Sequence, residues 1–165
     1  MIRRRAGSRN RTTACRVDAV APVGRMKMWI AAVGLVLGLS VPAFAGDYAS
    51  QISAYRRAHG LSAVRADSKL SAVALKQAQA MASSGTISHS AAGSFSSRVA
   101  PLRKSRAAEN IAAGFLSFAE TLKQWQDSAG HRANLLMPGA KKVGVASVAN
   151  ARSPYRMFWA MVITD

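Results

Sequence analysis

Apolar positions recur every three or four residues in three stretches of the chain and every second residue near its end. From Tyr48, the residues Ile52, Tyr55 and the Ala58–His59 pair share one helical face, and Gly60 stops the helix, with His59 read as a C-terminal cap. Leu61 to Ala66 reads as a connector. Asp67 or Ser68 then caps a second helix whose stripe is Leu70, Val73, Ala74, Ala78 and Met81, ended by Ser83-Ser84-Gly85. Thr86 to Arg106 has no period and is rich in Ser, Gly and Ala; a loop that long inside a domain is usually functional or disordered. Glu109 to Gly114 reads as a short extended segment turning at Gly114. Ser117-Phe118-Ala119-Glu120 is a capping box, so Glu120 is assigned to the backbone of a helix running through Leu122 and Trp125 to about Ser128. Gly130 is expected to break it, with one further turn over His131 to Leu136. Val143 to Val148 alternates like a strand and Tyr155 to Ile163 reads as a second one after a turn at Asn150 to Pro154, which predicts an antiparallel hairpin. Helices followed by a hairpin argue for an α+β fold.

The first part of the 165-residue chain follows another logic. Residues 1–25 are Arg-rich with no apolar period, and read as an unstructured extension or an over-extended start. Residues 26–45 open with a positive charge, carry an uncharged run from Trp29 to Leu39 and end on Ala43-Phe44-Ala45; that is the form of a secretory signal peptide. The run is too short for a membrane span, which needs about 20 apolar residues. The expectation is export to the periplasm or beyond, with Met26 or Met28 as the functional start and no transmembrane anchor after cleavage. Residues 46–165 are left as one domain, expected to be a monomer. The single cysteine, Cys15, lies outside it, so its stability rests on packing alone.

Charge adds a partner class. Residues 1–45 carry 8 basic and 1 acidic side chains, a net of +7; residues 46–165 carry 15 and 6, a net of +9. The domain itself is therefore cationic, and such a surface attracts a lipid or an anionic cell-envelope component; no specific nucleic-acid binding is indicated.

Against this basic background His89, Glu109 and His131 stand out as cleft candidates, with Asn110, Ser128, Arg132 and Asn134 as supporting residues. Two imidazoles and a carboxylate with an open fourth position suit a divalent metal such as zinc, although nothing requires a cofactor. Each also has a structural reading: Glu109 accepting backbone N–H groups, Asn110 bracing a turn, His131 at a helix end, Arg132 and Asn134 bonding a loop. No Gly-x-Ser-x-Gly nucleophile elbow occurs, and the catalytic residues of a hydrolase cannot be named.

Taken together, Tyr55-Arg56-Arg57-Ala58-His59-Gly60-Leu61, Ser88-His89-Ser90, Glu109-Asn110-Ile111-Ala112-Ala113-Gly114, Trp125-x-x-Ser128-x-Gly130-His131-Arg132-x-Asn134-Leu135-Leu136 and Val143-Gly144-Val145 resemble the CAP superfamily (cysteine-rich secretory, antigen 5, pathogenesis-related 1; SCP-like) in a cysteine-free bacterial form. The resemblance implies a three-layer α-β-α sandwich with a central antiparallel sheet, whose missing strands would come from the Arg98–Gly114 region. It also implies a cleft that gathers histidines and glutamates from these motifs. In many eukaryotic members a second cleft glutamate lies three residues after the tryptophan; here that residue is Ser128, which leaves the metal tetrad incomplete. The function expected is a secreted binding module for lipid, anionic polymer or metal. The alternatives are an extracytoplasmic metal-dependent hydrolase and an electrostatic adhesion protein with a vestigial cleft.

Overall fold

The computed structural model describes residues 45–165. The expected extension and signal peptide therefore lie outside the described residues, apart from Ala45, which opens the first helix. The elements are α1 (Ala45–Ala58), β1 (Arg65–Ala66), α2 (Ser68–Ser84), α3 (Phe95–Val99), a 3-10 turn (Ala100–Leu102), β2 (Ala107–Ala113), α4 (Phe118–Asp127), α5 (Ala129–Leu135), β3 (Lys142–Asn150) and β4 (Arg156–Thr164).

The four strands form one sheet in the order β1-β3-β4-β2. β3 pairs antiparallel with β4, and β4 antiparallel with β2. β1 pairs parallel with β3, which makes the sheet mixed where an all-antiparallel one was expected. β1 comes from the stretch read as a connector, and at two residues it is too short to display alternation. β2 does arise from the Arg98–Gly114 region.

Helices cover both faces of the sheet, and β4 shows this residue by residue. Trp159, Met161 and Ile163 pack with Ile52 of α1, Phe118, Leu122 and Trp125 of α4, and Leu135 of α5. Phe158, Ala160 and Val162 pack with Leu70, Ala74, Ala78 and Met81 of α2. Side chains alternate across a strand, so these two clusters lie on opposite faces and the architecture is a three-layer α+β sandwich. A central strand covered on both faces should read as a continuous apolar run, and β4 does: Phe158 through Ile163 are all at most 3% exposed. Trp125 and Trp159 are core residues, and their ring N–H groups donate to Ile111 O (3.3 Å) and Phe115 O (2.7 Å).

Local chemistry sets the helix ends. Asp67 accepts from Lys69 N and Leu70 N to start α2, and Gly85 closes it at φ 67°. Ser117 and Glu120 form the predicted capping box of α4. The break between α4 and α5 falls at Ser128, in extended conformation (φ −82°, ψ 122°), and not at Gly130, which lies inside α5. Arg132 secures this corner by donating to Gln126 O at 2.9 Å. Arg56 is fully buried with no carboxylate beside it among the described residues: its guanidinium donates to Ser62 O, Leu135 O, Met137 O and Ala140 O. Four carbonyls thus replace a counter-ion, and α1 is tied to the end of α5.

Candidate functional site

The stretch expected to be irregular is partly ordered, and its order builds the site. Ser94 accepts from Ser97 N and starts α3, the short helix that carries Arg98. The loop before it is held by Gln77, a fully buried residue of α2 whose side chain donates to Ser88 O (2.6 Å) and accepts from Ala92 N (3.2 Å). His89 lies between those two anchor points.

Glu109 rises from β2 into this arrangement and is 5% exposed. Arg98 takes its carboxylate in a two-pronged contact, Nη1 to Oε2 at 2.6 Å and Nη2 to Oε1 at 2.9 Å. The same guanidinium donates to His89 O (2.9 Å) and Gly93 O (3.3 Å) and lies over the Phe95 ring. His89 Nδ1 sits 2.9 Å from Glu109 Oε1. A carboxylate already bound by a guanidinium acts here as acceptor, so the imidazole presents Nδ1–H to it and leaves Nε2 facing away from the acid. The His89 side chain is 57% exposed and Glu109 beneath it only 2%. The acid is a buried anchor, and the imidazole is what solvent meets.

The second wall comes from the start of α5. Asn110 Nδ2 donates to His131 O (3.0 Å), and Asn134 Nδ2 donates to Asn110 Oδ1 (2.9 Å) and Glu109 O (3.1 Å). The two amides lock β2 to α5, which sets His131 close enough to feel His89. The His131 ring is held below its ordinary 6.5, first by burial and second by the charge of His89. Its Nδ1 is buried without a hydrogen-bond partner among the described residues.

The three candidates are therefore neighbours, but their donors do not suit one metal. Both Glu109 oxygens are spent on Arg98 and His89, and a cation at that carboxylate would face the Arg98 guanidinium. Among the described residues no group of three or more His, Cys, Asp or Glu side chains is placed to hold a metal ion. Two imidazoles remain, fewer than the three protein ligands of open catalytic zinc sites. Ser128 lies on the rim of an open cavity of about 610 Å³ lined also by Phe115, Lys123 and Gln124. His59, as expected, caps its own helix through Tyr55 O at 2.9 Å.

Arg98 and Gln77 were missed by sequence reasoning. A signal existed for Arg98: Ser94 followed three residues later by Ser97, flanking Phe95 and Val99, is a weak helix start. Gln77 gave none, since a polar residue inside an Ala-rich helix looks solvent-facing.

The model of CAP, the cysteine-rich secretory protein family, matches residues 49–163. No curated protein sequence matches the chain. Among solved structures, an outer surface protein from Borrelia burgdorferi superposes with a TM-score of 0.63 at 20% identity, over 72% of this chain and 88% of that one. An extracellular protein containing a SCP domain from Bacillus anthracis gives 0.61 at 24% identity, over 72% and 39%. A cysteine-rich secretory protein of Staphylococcus aureus gives 0.57 at 17%, over 72% and 36%. This chain thus spans well under half of the last two proteins, and at these identities the likeness is one of fold.

Proposed function

Because the chain belongs to the CAP family of cysteine-rich secretory proteins, we propose that it is an exported binding module. It presents its His89/His131 cleft and a cationic exterior to an anionic component at or outside the cell envelope. The observation that carries this reading is the capture of Glu109 by Arg98. A general acid or base must exchange a proton with a substrate within hydrogen-bond reach. The only acid among the three cleft candidates is buried and committed to an internal cation, so a hydrolysis that uses a cleft carboxylate as base or metal ligand lacks that group. A structural module loses nothing by this, because the ion pair fixes the loop that displays His89. Export is supported by the signal-like residues 26–45 and by relatives named for the outer surface or the extracellular space. Among the described residues no helix is long and apolar enough to cross a membrane.

The test is to incubate the purified protein with isolated envelope fragments, with and without a chelator, and with a panel of ester, peptide and glycoside substrates. Saturable retention that a chelator leaves unchanged, with no turnover, is expected. Turnover that disappears in His89→Ala would replace this reading with the hydrolase.

A further inference from the structure

Sheet topology gathers positive charge at one end of the molecule. β1, β3 and β4 meet there in register, Arg65 opposite Lys142 and Lys142 opposite Thr164. Backbone bonds extend the row: Arg65 N donates to Lys141 O (2.8 Å), Lys141 N to Thr164 O (2.8 Å), and Asp165 N to Arg106 O (3.4 Å). Neighbouring strands lie about 4.8 Å apart, so Arg65, Lys141, Lys142 and Arg106 are spread over roughly 15 Å, the width of four strands. The loop before β2 adds Arg103 and Lys104, and the first turn of α2 adds Lys69. All seven are exposed. They are 7 of the 15 basic residues in 46–165, on a small part of the surface.

The row borders a groove. A cavity of about 390 Å³ is lined by Lys69, Lys104 and Lys142 with Leu70, Pro101 and Asp67. A second, of about 330 Å³, is lined by Arg103, Lys104, Lys141 and Lys142 with Ser105 and Asp165. Lys104 and Lys142 line both, so the two lie side by side. The acids present are already engaged: Asp67 by Lys142 Nζ (2.9 Å) and the α2 amides, Asp165 by Ser105 Oγ and Arg106 N. Arg65, Lys104 and Lys141 make no side-chain hydrogen bond or ion pair to other described residues.

We propose that this groove binds a linear phosphate-bearing polymer, laid across the sheet end with its charges matched to the lysine and arginine row. The reading deepens the envelope-binding function and rests on it. A bilayer would need apolar side chains to enter it, but the exposed large apolar residues Leu75, Ile87, Leu116 and Tyr155 line neither cavity. Single-stranded nucleic acid is held by aromatic stacking, and among the described residues no aromatic side chain lines either cavity. A flexible chain of closely spaced phosphates needs neither: lysines serve as point charges and arginines as forks.

The test uses the whole protein and long-chain inorganic polyphosphate, titrated at several salt concentrations. The variant R65Q/K104Q/K141Q removes three charges without breaking an internal bond, and R57Q/K76Q/R152Q removes three elsewhere. The groove variant is expected to lose about tenfold or more in affinity at low salt, with a log K against log salt slope shallower by about two. The control is expected to stay within about twofold of the parent. Equal losses in both variants would overturn the proposal in favour of diffuse charge. Binding of phosphatidylglycerol vesicles or single-stranded DNA tighter than polyphosphate would overturn it in favour of a membrane or nucleic-acid surface. A parent that ignores polyphosphate would also end it, and retention on envelope fragments would then decide separately whether the binding function stands.

Discussion

Arg98 and Glu109 are 4% and 2% exposed at their side chains, so neither charge has water to fall back on. A buried pair adds little over an apolar replacement, but loss of one partner strands the other. Arg98→Met is therefore expected to destabilise the fold by about 3–5 kcal/mol, whereas the double variant R98M/E109Q recovers much of that loss; denaturant titration of the two separates them. His131 gives a pH signature with a definite sign. Its folded-state pKa lies below 6.5, so the unfolded chain binds the extra proton more readily. The contribution is intact above about pH 6.5 and is lost as pH falls from there through the lowered value. The expected result is a melting temperature that declines from pH 7 to pH 5, with a shallower decline in His131→Asn. At this scale the sequence was legible for residues whose type is rare in the chain. His89, Glu109 and His131 stood out among three histidines and seven acids. Arg98 did not, being one basic residue among 23, and only its contact with Glu109 11 residues away reveals its role.

The elements owe their legibility to period and capping. α2 was bounded correctly because Asp67 and Gly85 are chemical end-markers, and α4 because Ser117 and Glu120 bond reciprocally. α3 was hidden in serine-rich sequence and β1 by its length, since both are stabilised by what they pack against. The contact between α2 and β3 shows how such packing constrains a single position. A Cβ on Gly144 would overlap Ser71 N and the backbone carbon of Leu70, so helix and strand approach at backbone distance. Backbone cannot rotate aside as a flexible side chain does. Gly144→Ala is expected to push the start of α2 off the sheet and cost about 1–3 kcal/mol or more. Hydrogen exchange should report the displacement as faster exchange in the first turns of α2 and in β3, with α4 and α5 less affected.

At the scale of the whole molecule the two faces of the sheet carry different duties. The face under α1, α4 and α5 holds the aromatic core of Phe118, Trp125 and Trp159, and the cleft hangs from α5 through Asn110 and Asn134. The face under α2 holds mostly small and aliphatic residues around the single buried ring of Phe158, and its helix anchors the His89 loop through Gln77. The cationic groove stands at the strand ends, where its basic side chains belong to neither core. Its charges repel one another, and a surface kept charged for binding costs the compact state some stability. The repulsion runs between solvent-exposed groups and is screened over about 10 Å at 0.1 M salt. Stability should therefore rise as salt increases from about 10 mM to about 150 mM, a range over which the Debye length falls from about 30 Å to about 8 Å. R65Q/K104Q/K141Q should melt a few degrees higher than the parent at low salt and gain less from added salt. Equal salt responses in parent and variant would mean that the groove's charges are already compensated within the fold, and that it holds little attraction in reserve for a polyanion.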